Sequence, residues 1–213
     1  MKIAVVTGAS SGMGKEFVLQ LGRKRAFDQI WAIARREERL CQLQETVPCV
    51  RPLAMDLTLP ASLERLRELL ADEQPQVEVL VNGSGFGKFG AYPSVPPADS
   101  MGMIDLNAKA LVAVTETVLP YMSRGSRVVQ LASLSSFQPV PYLNVYAATK
   151  AFVLSYSRAL NVELKPRGIS VRAIEPRYVK TRMFDACAGR MGVDPNLAQD
   201  PKALAEEILE MLK

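Results

Sequence analysis

The chain has 213 residues, 48% apolar and 23% charged, with a net charge of +4 and no histidine. This length suits one α/β domain, residues 1–213, with enough chain to bury a sizeable core. The missing histidine removes His-based triads and most zinc sites, so no metal centre is expected. The basic residues are scattered, which argues against a nucleic-acid surface.

Strand-like and helix-like segments alternate along the chain. Ile3 to Thr7 is a short apolar β run. Gly12 to Lys24 reads as a helix with Phe17, Val18 and Leu21 on one face, and Arg23-Lys24-Arg25 complements the dipole at its end. Ile30 to Ala34 is the second strand, Arg36 to Glu45 the second helix, and Val47 to Met55 holds a third strand. Pro60 to Ala71 is a third helix, with Leu63, Leu66, Leu69 and Leu70 on its buried side. Val77 to Val81 is the fourth strand, Pro93 to Pro97 a loop, and Ile104 to Met122 a long helix. Val128 to Ala132 is the fifth strand. Leu143 to Leu164 is another long helix, closed by Pro166 and Gly168, and Ile169 to Ile174 is the sixth strand. Most of Arg177 to Pro201 lacks a regular pattern, as a binding loop, a lid or a disordered segment would, before a terminal helix from Pro201 to Leu212. Such alternation predicts an α/β fold, a parallel sheet with helices on both faces.

Cys41, Cys49 and Cys187 are irregularly spaced and form no CxxC pair, the usage of reduced thiols in a cytoplasmic protein. No signal peptide is read ahead of the first strand, and no apolar run is long enough to cross a membrane.

Two stretches carry chemistry. Tyr146 and Lys150 are four apart at the start of a helix, one turn apart on one face. An ammonium beside a phenol favours the phenolate and lowers its pKa, so the tyrosine can move a proton near neutral pH. Taken alone, such a pair is more often an ordinary amphipathic surface pair. Ser133 follows the fifth strand, at the carboxyl end where open α/β sheets bind ligands. Ser135 and Ser136 are its rivals. The other stretch is Thr7-Gly8-Ala9-Ser10-Ser11-Gly12-Met13-Gly14, a glycine-rich turn between the first strand and the first helix, where backbone N–H groups can meet a pyrophosphate.

The Thr-Gly-x3-Gly-x-Gly turn, Tyr146-x3-Lys150 and a serine thirteen residues before the tyrosine together resemble the short-chain dehydrogenase/reductase family. The resemblance runs from Lys2 to about Met183. Asn82-Gly83-Ser84-Gly85 is similar to the family's Asn-Asn-Ala-Gly, Asp56-Leu57 to its acidic pair at the adenine, and Asn107 to its helix asparagine. The resemblance implies a Rossmann-like doubly wound sheet and an oxidoreductase that moves hydride between a nicotinamide cofactor and a carbonyl or alcohol substrate. Tyr146 is then the general acid or base, Lys150 its partner and a ribose ligand, Ser133 a donor to the substrate oxygen and Asn107 the holder of a relay water. Gly8, Ser10, Ser11, Gly12, Met13, Gly14, Asp56, Leu57, Asn82, Gly83, Ser84, Pro176, Val179 and Thr181 fall at the family's cofactor-binding positions. A nucleotide-binding regulatory or scaffold protein with little turnover is the alternative, though such a protein should lose Tyr146, Lys150 or Ser133.

At the end of the second strand stands Ala34-Arg35-Arg36, where NAD-specific relatives carry an acid. A guanidinium there suits a 2′-phosphate, so Arg35 selects NADP(H) over NAD(H). The chain departs from the family at Arg177, which replaces a glycine, and in having no seventh strand and tail. The substrate is set by the loops at Gly85 to Pro97 and Arg177 to Pro201. Phe86, Phe89, Tyr92, Tyr142 and Phe184 are expected as apolar walls there. The helices at 104–122 and 143–164 carry apolar residues on more than one face, which asks for a further partner, and the family resemblance implies a homodimer through them.

Overall fold

The apolar runs form β1 (Lys2–Thr7), β2 (Gln29–Ala34), β3 (Val50–Ala54), β4 (Gln76–Asn82), β5 (Arg127–Leu131) and β6 (Ser170–Ile174). All pair in parallel, in the order β3-β2-β1-β4-β5-β6. The structure is a computed structural model that describes all residues except Arg25, Arg182, Met183, 185–193, Leu212 and Lys213. Cys187 therefore lies outside the described residues, as do Arg25 and eleven residues of the segment read as a binding loop.

The chain runs outward from β1 to β3, then returns to the other side of β1 with β4. The crevice at the carboxyl ends of β1 and β4 is thus a topological switch point, where such sheets bind ligands. Alternate side chains of β1 serve opposite faces. Ala4 and Val6 join Phe17, Val18 and Leu21 of α1 (Gly12–Lys24) and Leu40 and Leu43 of α2 (Glu37–Thr46). Ile3 and Val5 join Leu66 and Leu70 of α3 (Pro60–Glu73) on the other side. That second layer is completed by Val114 and Val118 of α5 (Ala110–Val118) and Leu160 and Leu164 of α6 (Asn144–Leu164). The terminal helix, α7 (Pro201–Glu210), lays Leu204, Ala205, Ile208 and Leu209 onto the α1 face. The Asp200 carboxylate caps it by accepting from the Lys202 and Ala203 N–H groups. Lys24 donates to the Leu209 carbonyl at 3.4 Å and pairs with Glu210 at 3.6 Å, so part of the basic end of α1 serves α7.

The third strand lies within the span read to hold it, Val47 to Met55, with Val47 capping α2 and β3 beginning at Val50. The helix read from Ile104 to Met122 is also different. It starts about two turns earlier as α4 (Pro97–Ile104), passes through a π-helical turn at Asp105–Lys109, continues as α5 and ends in a 3-10 turn at Leu119–Tyr121. Pro97 is a helix start and not a loop residue: at the first helical position its missing N–H costs nothing and its φ is already helical. Among the described residues no seventh strand flanks β6, no helix is long and apolar enough to cross a membrane, and no cluster of His, Cys, Asp or Glu could hold a metal ion.

Candidate active site

The turn after β1 is built by close backbone approach. Gly8 has φ +70, and a Cβ there would lie 2.6 Å from the Gly83 carbonyl oxygen, so neither the conformation nor the space admits another residue. The Thr7 hydroxyl accepts from the Gly83 and Ser84 N–H groups, both at 3.1 Å, and ties the ends of β1 and β4 together. Gly14 packs just as tightly on Gly8. Thr181, from the segment after β6, comes to 3.3 Å of where a Gly12 Cβ would stand, so glycine turn and distal loop face each other. Met13 is buried behind the turn in the core.

Two arginines leave β2 in different directions. Arg36 reaches over the glycine turn: its Nη2 donates to the Ser10 hydroxyl at 2.7 Å and to the Ser11 hydroxyl at 2.8 Å, and its Nε donates to Ser10 at 3.2 Å. Arg35, the residue singled out from sequence, is exposed, with its guanidinium 3.9 Å from the Asp56 carboxylate. Burial raises the Asp56 carboxyl, but two hydrogen bonds from Thr58 and the charge of Arg35 outweigh it and hold the group below its ordinary value. Leu57 beside it is buried in the core layer of α3 and α5.

Tyr146 and Lys150 do share a face of α6, and both are buried, at 7% and 5% exposure. The Lys150 ammonium lies 5.6 Å from the centre of the Tyr146 ring and donates to the Leu131 carbonyl at the end of β5, at 2.5 Å. Burial pushes that ammonium down to about 8. Asn107 sits in the π-helical turn, an irregularity that recurs at functional sites. Its side chain is fully engaged. Oδ1 accepts from the Phe86 N–H at 3.0 Å, while Nδ2 donates to the Phe86 carbonyl at 2.9 Å and to the Thr149 hydroxyl at 3.1 Å. Thr149 in turn donates to the Tyr146 carbonyl. A Cβ on Gly85 would lie 3.1 Å from Asn107 Oδ1 and 3.7 Å from Lys150 Nζ, so the asparagine, the lysine and the turn after β4 meet at one point. Gly87 rests on the Tyr146 ring, where a Cβ would come to 2.9 Å of Cδ2.

The three serines after β5 divide the work. Ser136 donates to the Lys150 carbonyl at 3.0 Å and accepts from the Ser133 N–H. The Ser133 oxygen accepts from the Ser135 N–H, capping the short turn Leu134–Ser136. Ser133 keeps an extended backbone at the carboxyl end of β5. The Ser135 oxygen is buried without a hydrogen-bond partner among the described residues.

Other predicted residues lie around this core. The Asn82 side chain points inward, donating to Thr115 at 2.9 Å, so what it offers a ligand at the switch point is backbone. Pro176 accepts from the Leu134 N–H, joining the loops after β5 and β6. Val179 forms an isolated parallel bridge with Gln199. Of the predicted wall aromatics, Phe86 contacts Gly102 of α4, Phe184 packs on Tyr178, and Tyr92 is 97% exposed. Phe89 and Tyr142 face each other, ring centres 5.8 Å apart. Arg36 was passed over in the sequence in favour of its neighbour, although Ala34-Arg35-Arg36 carried the signal for both.

Residues 2–190 match the family model described as short chain dehydrogenase. An uncharacterized oxidoreductase of Staphylococcus epidermidis is 31% identical over 187 residues, covering 86% of this chain and 80% of that protein. A very-long-chain 3-oxoacyl-CoA reductase of Danio rerio is 33% identical over 195 residues, covering 85% of this chain and 61% of that protein. Among solved structures, the short-chain dehydrogenase from Sphingobium yanoikuyae in complex with NADPH superposes with a TM-score of 0.83 at 30% identity, covering 98% of this chain and 83% of that one.

Proposed function

The chain belongs to the short-chain dehydrogenase family, oxidoreductases of carbonyl and CH–OH groups that use a nicotinamide dinucleotide, and we propose that it is an NADPH-linked carbonyl reductase with Tyr146 as its general acid. The observation that carries this reading is the buried Lys150 ammonium behind the Tyr146 ring, held by the Leu131 carbonyl at the end of a central strand. A buried ammonium, its pKa pushed down by burial, set behind a buried phenol at the carboxyl end of the sheet is a poor structural choice and a good catalytic one.

The residues at the crevice fit a dinucleotide. The N-terminus of α1, with Gly8, Ser10, Ser11, Gly12, Met13 and Gly14, suits a pyrophosphate through backbone N–H groups. Arg36, poised over the Ser10 and Ser11 hydroxyls, and Arg35 beside it suit a 2′-phosphate, which supports NADP(H) over NAD(H). Asp56 and Leu57 would flank the adenine. The backbone of Asn82, Gly83 and Ser84, with Pro176, Val179, Thr181 and Lys150, would hold the nicotinamide half. When bound, the dinucleotide supplies the hydride.

The chain's own residues handle the rest. The Tyr146 hydroxyl gives its proton to the substrate oxygen in reduction and takes it back in oxidation. Lys150 keeps a positive charge behind that phenol as negative charge develops. The Ser133 hydroxyl, whose oxygen only accepts within its turn, has its hydrogen free to donate to the same substrate oxygen. Asn107 pins the loop over Tyr146 through its bonds to Phe86. NADPH consumption over a panel of aldehydes and ketones tests the reading. Tyr146→Phe should keep fold and cofactor binding while turnover falls roughly 100-fold or more; a variant within a few-fold of the parent would overturn the assignment.

We also propose a homodimer through α5 and α6. In the helix read at 104–122, Leu111, Val114, Val118 and Leu119 are buried by the chain itself. The support comes from α6, which leaves Ala148, Ala151, Phe152, Ser155, Ala159 and Val162 exposed along one side, with Phe152 stacked on Tyr156. The Tyr156 phenol, pushed up by burial and by its bond to Glu116, ties α6 to α5 beneath that side.

A further inference from the structure

Two loops leave the carboxyl ends of neighbouring strands, residues 83–96 after β4 and 132–143 after β5, and both run past Tyr146. They meet at their tips. The Gly90 N–H donates to the Tyr142 carbonyl at 2.8 Å, and the Phe89 and Tyr142 rings lie 5.8 Å apart, tilted by 48°. On one loop this pair is two residues beyond Gly87, whose backbone rests on the Tyr146 ring. On the other it stands four residues before Tyr146, just ahead of the first residue of α6. Lys88, the charge between Gly87 and Phe89, is drawn off to Asp99 of α4 at 3.4 Å, which leaves the tips apolar.

Tyr142 adopts φ +65, a left-handed conformation that is an outlier for a bulky residue. The other non-glycine residue of this kind among those described, Gln74, has a local reason: its N–H caps α3. Tyr142 caps nothing, since Leu143 is the residue before α6. What its strained backbone achieves is to hold an aromatic ring, 57% exposed, against Phe89, two residues beyond the glycine that rests on Tyr146. Strain of this sort persists where the surroundings over-determine it, and it gathers at ligand clamps.

We propose that Phe89 and Tyr142 form the wall that selects the substrate, a ketone with a flat apolar substituent that lies against these rings while its oxygen faces Tyr146. This rests on the carbonyl-reductase reading above. Two tilted rings at this spacing leave the edge-and-face geometry that a third ring fits best, which favours an aryl group over a flexible chain.

The test compares two ketones of equal carbon count, acetophenone and 2-octanone, as a ratio of kcat/KM. The parent should favour acetophenone. Phe89→Ala and Tyr142→Gly, the latter also relieving the backbone strain, should each lower the ratio roughly tenfold, the scale of a lost aromatic contact. Tyr142→Phe, which keeps the ring, should restore the ratio. A ratio that stays put in both variants, or a parent that favours 2-octanone, overturns the wall. Saturation-transfer NMR of acetophenone on the NADPH-loaded protein separates this from the reductase reading. A binding signal lost in Phe89→Ala without any ketone being reduced upholds the wall and sinks the reductase. Turnover with an unchanged signal in Phe89→Ala does the reverse, and neither binding nor turnover of ketones sinks both.

Discussion

Asn107 is bonded to the backbone of Phe86 as one strand is bonded to the next, accepting at 3.0 Å and donating at 2.9 Å. The next residue, Gly87, lies on the Tyr146 ring, so the amide fixes how the loop covers the tyrosine. Asn107→Leu fills similar space but strands the Phe86 N–H and carbonyl. Each buried group left unpaired costs about 1–3 kcal/mol, so the thermal midpoint falls. The sharper readout is kinetic: kcat should drop roughly tenfold or more while NADPH affinity, read by fluorescence, stays within a few-fold. Parallel losses in both would reduce Asn107 to a general support of the fold.

The two arginines after β2 predict different failures. Arg36→Ala removes the group that lies on Ser10 and Ser11. It should weaken NADPH and 2′,5′-ADP binding roughly 10- to 100-fold, the scale of a charged hydrogen bond, and spare NADH. Arg35→Asp should turn preference toward NADH by adding an acceptor for a ribose hydroxyl and a like charge near Asp56. If each variant loses both cofactors equally in calorimetric titrations, the arginines hold the fold and the 2′-phosphate reading is dropped.

Lys150 makes stability depend on pH with a definite sign. Its folded pKa is about 8, well below the ordinary 10.5, because its charge is buried. Below about pH 8 both folded and unfolded chains are charged and the cost of burial is constant. Between there and 10.5 the unfolded chain holds a proton that the folded one has released, so stability rises with pH. The full gain is on the order of 3 kcal/mol. Urea midpoints of the parent should therefore climb relative to Lys150→Met between pH 7 and pH 10. A constant difference between the two proteins would contradict a buried ammonium.

Sedimentation at micromolar concentration tests assembly through α5 and α6. A dimer is expected, and Phe152→Glu, which sets a charge in the exposed side of α6, should dissociate it. A monomeric parent counts against the dimer. A dimer that survives the substitution means that a different surface is used.

What the sequence disclosed follows from how local each signal is. The strands stand out as apolar, β-rich runs between polar turns, and Tyr146 and Lys150 are linked by a spacing that one helical turn enforces. The π-helical turn at Asp105–Lys109 has no such signature, since one extra residue in a helix changes no composition. Asn107 was readable as a site residue, but its partner was not, because it is a backbone unit twenty-one positions away. Arg35 and Arg36 are equivalent in a string of letters. They separate only when the backbone at Arg36, φ −92 and ψ 92, turns one guanidinium back over the glycine turn. The serine run is similar: spacing chose Ser133, and the bond from Ser136 to Lys150 became visible only with α6 in position.

The bridge between Val179 and Gln199 has an evolutionary side. Gln199 donates to the Tyr178 carbonyl at 2.7 Å and accepts from the Lys180 N–H at 3.0 Å, so the chain between them begins and ends at one clasp. With its ends fastened, a loop can change length at little thermodynamic cost, about 0.6 kcal/mol for each doubling. Insertions and deletions there need not disturb β6 or α7. Descendants of this chain can therefore lengthen or shorten a single segment while Tyr146, Lys150 and the glycine turn stay where they are.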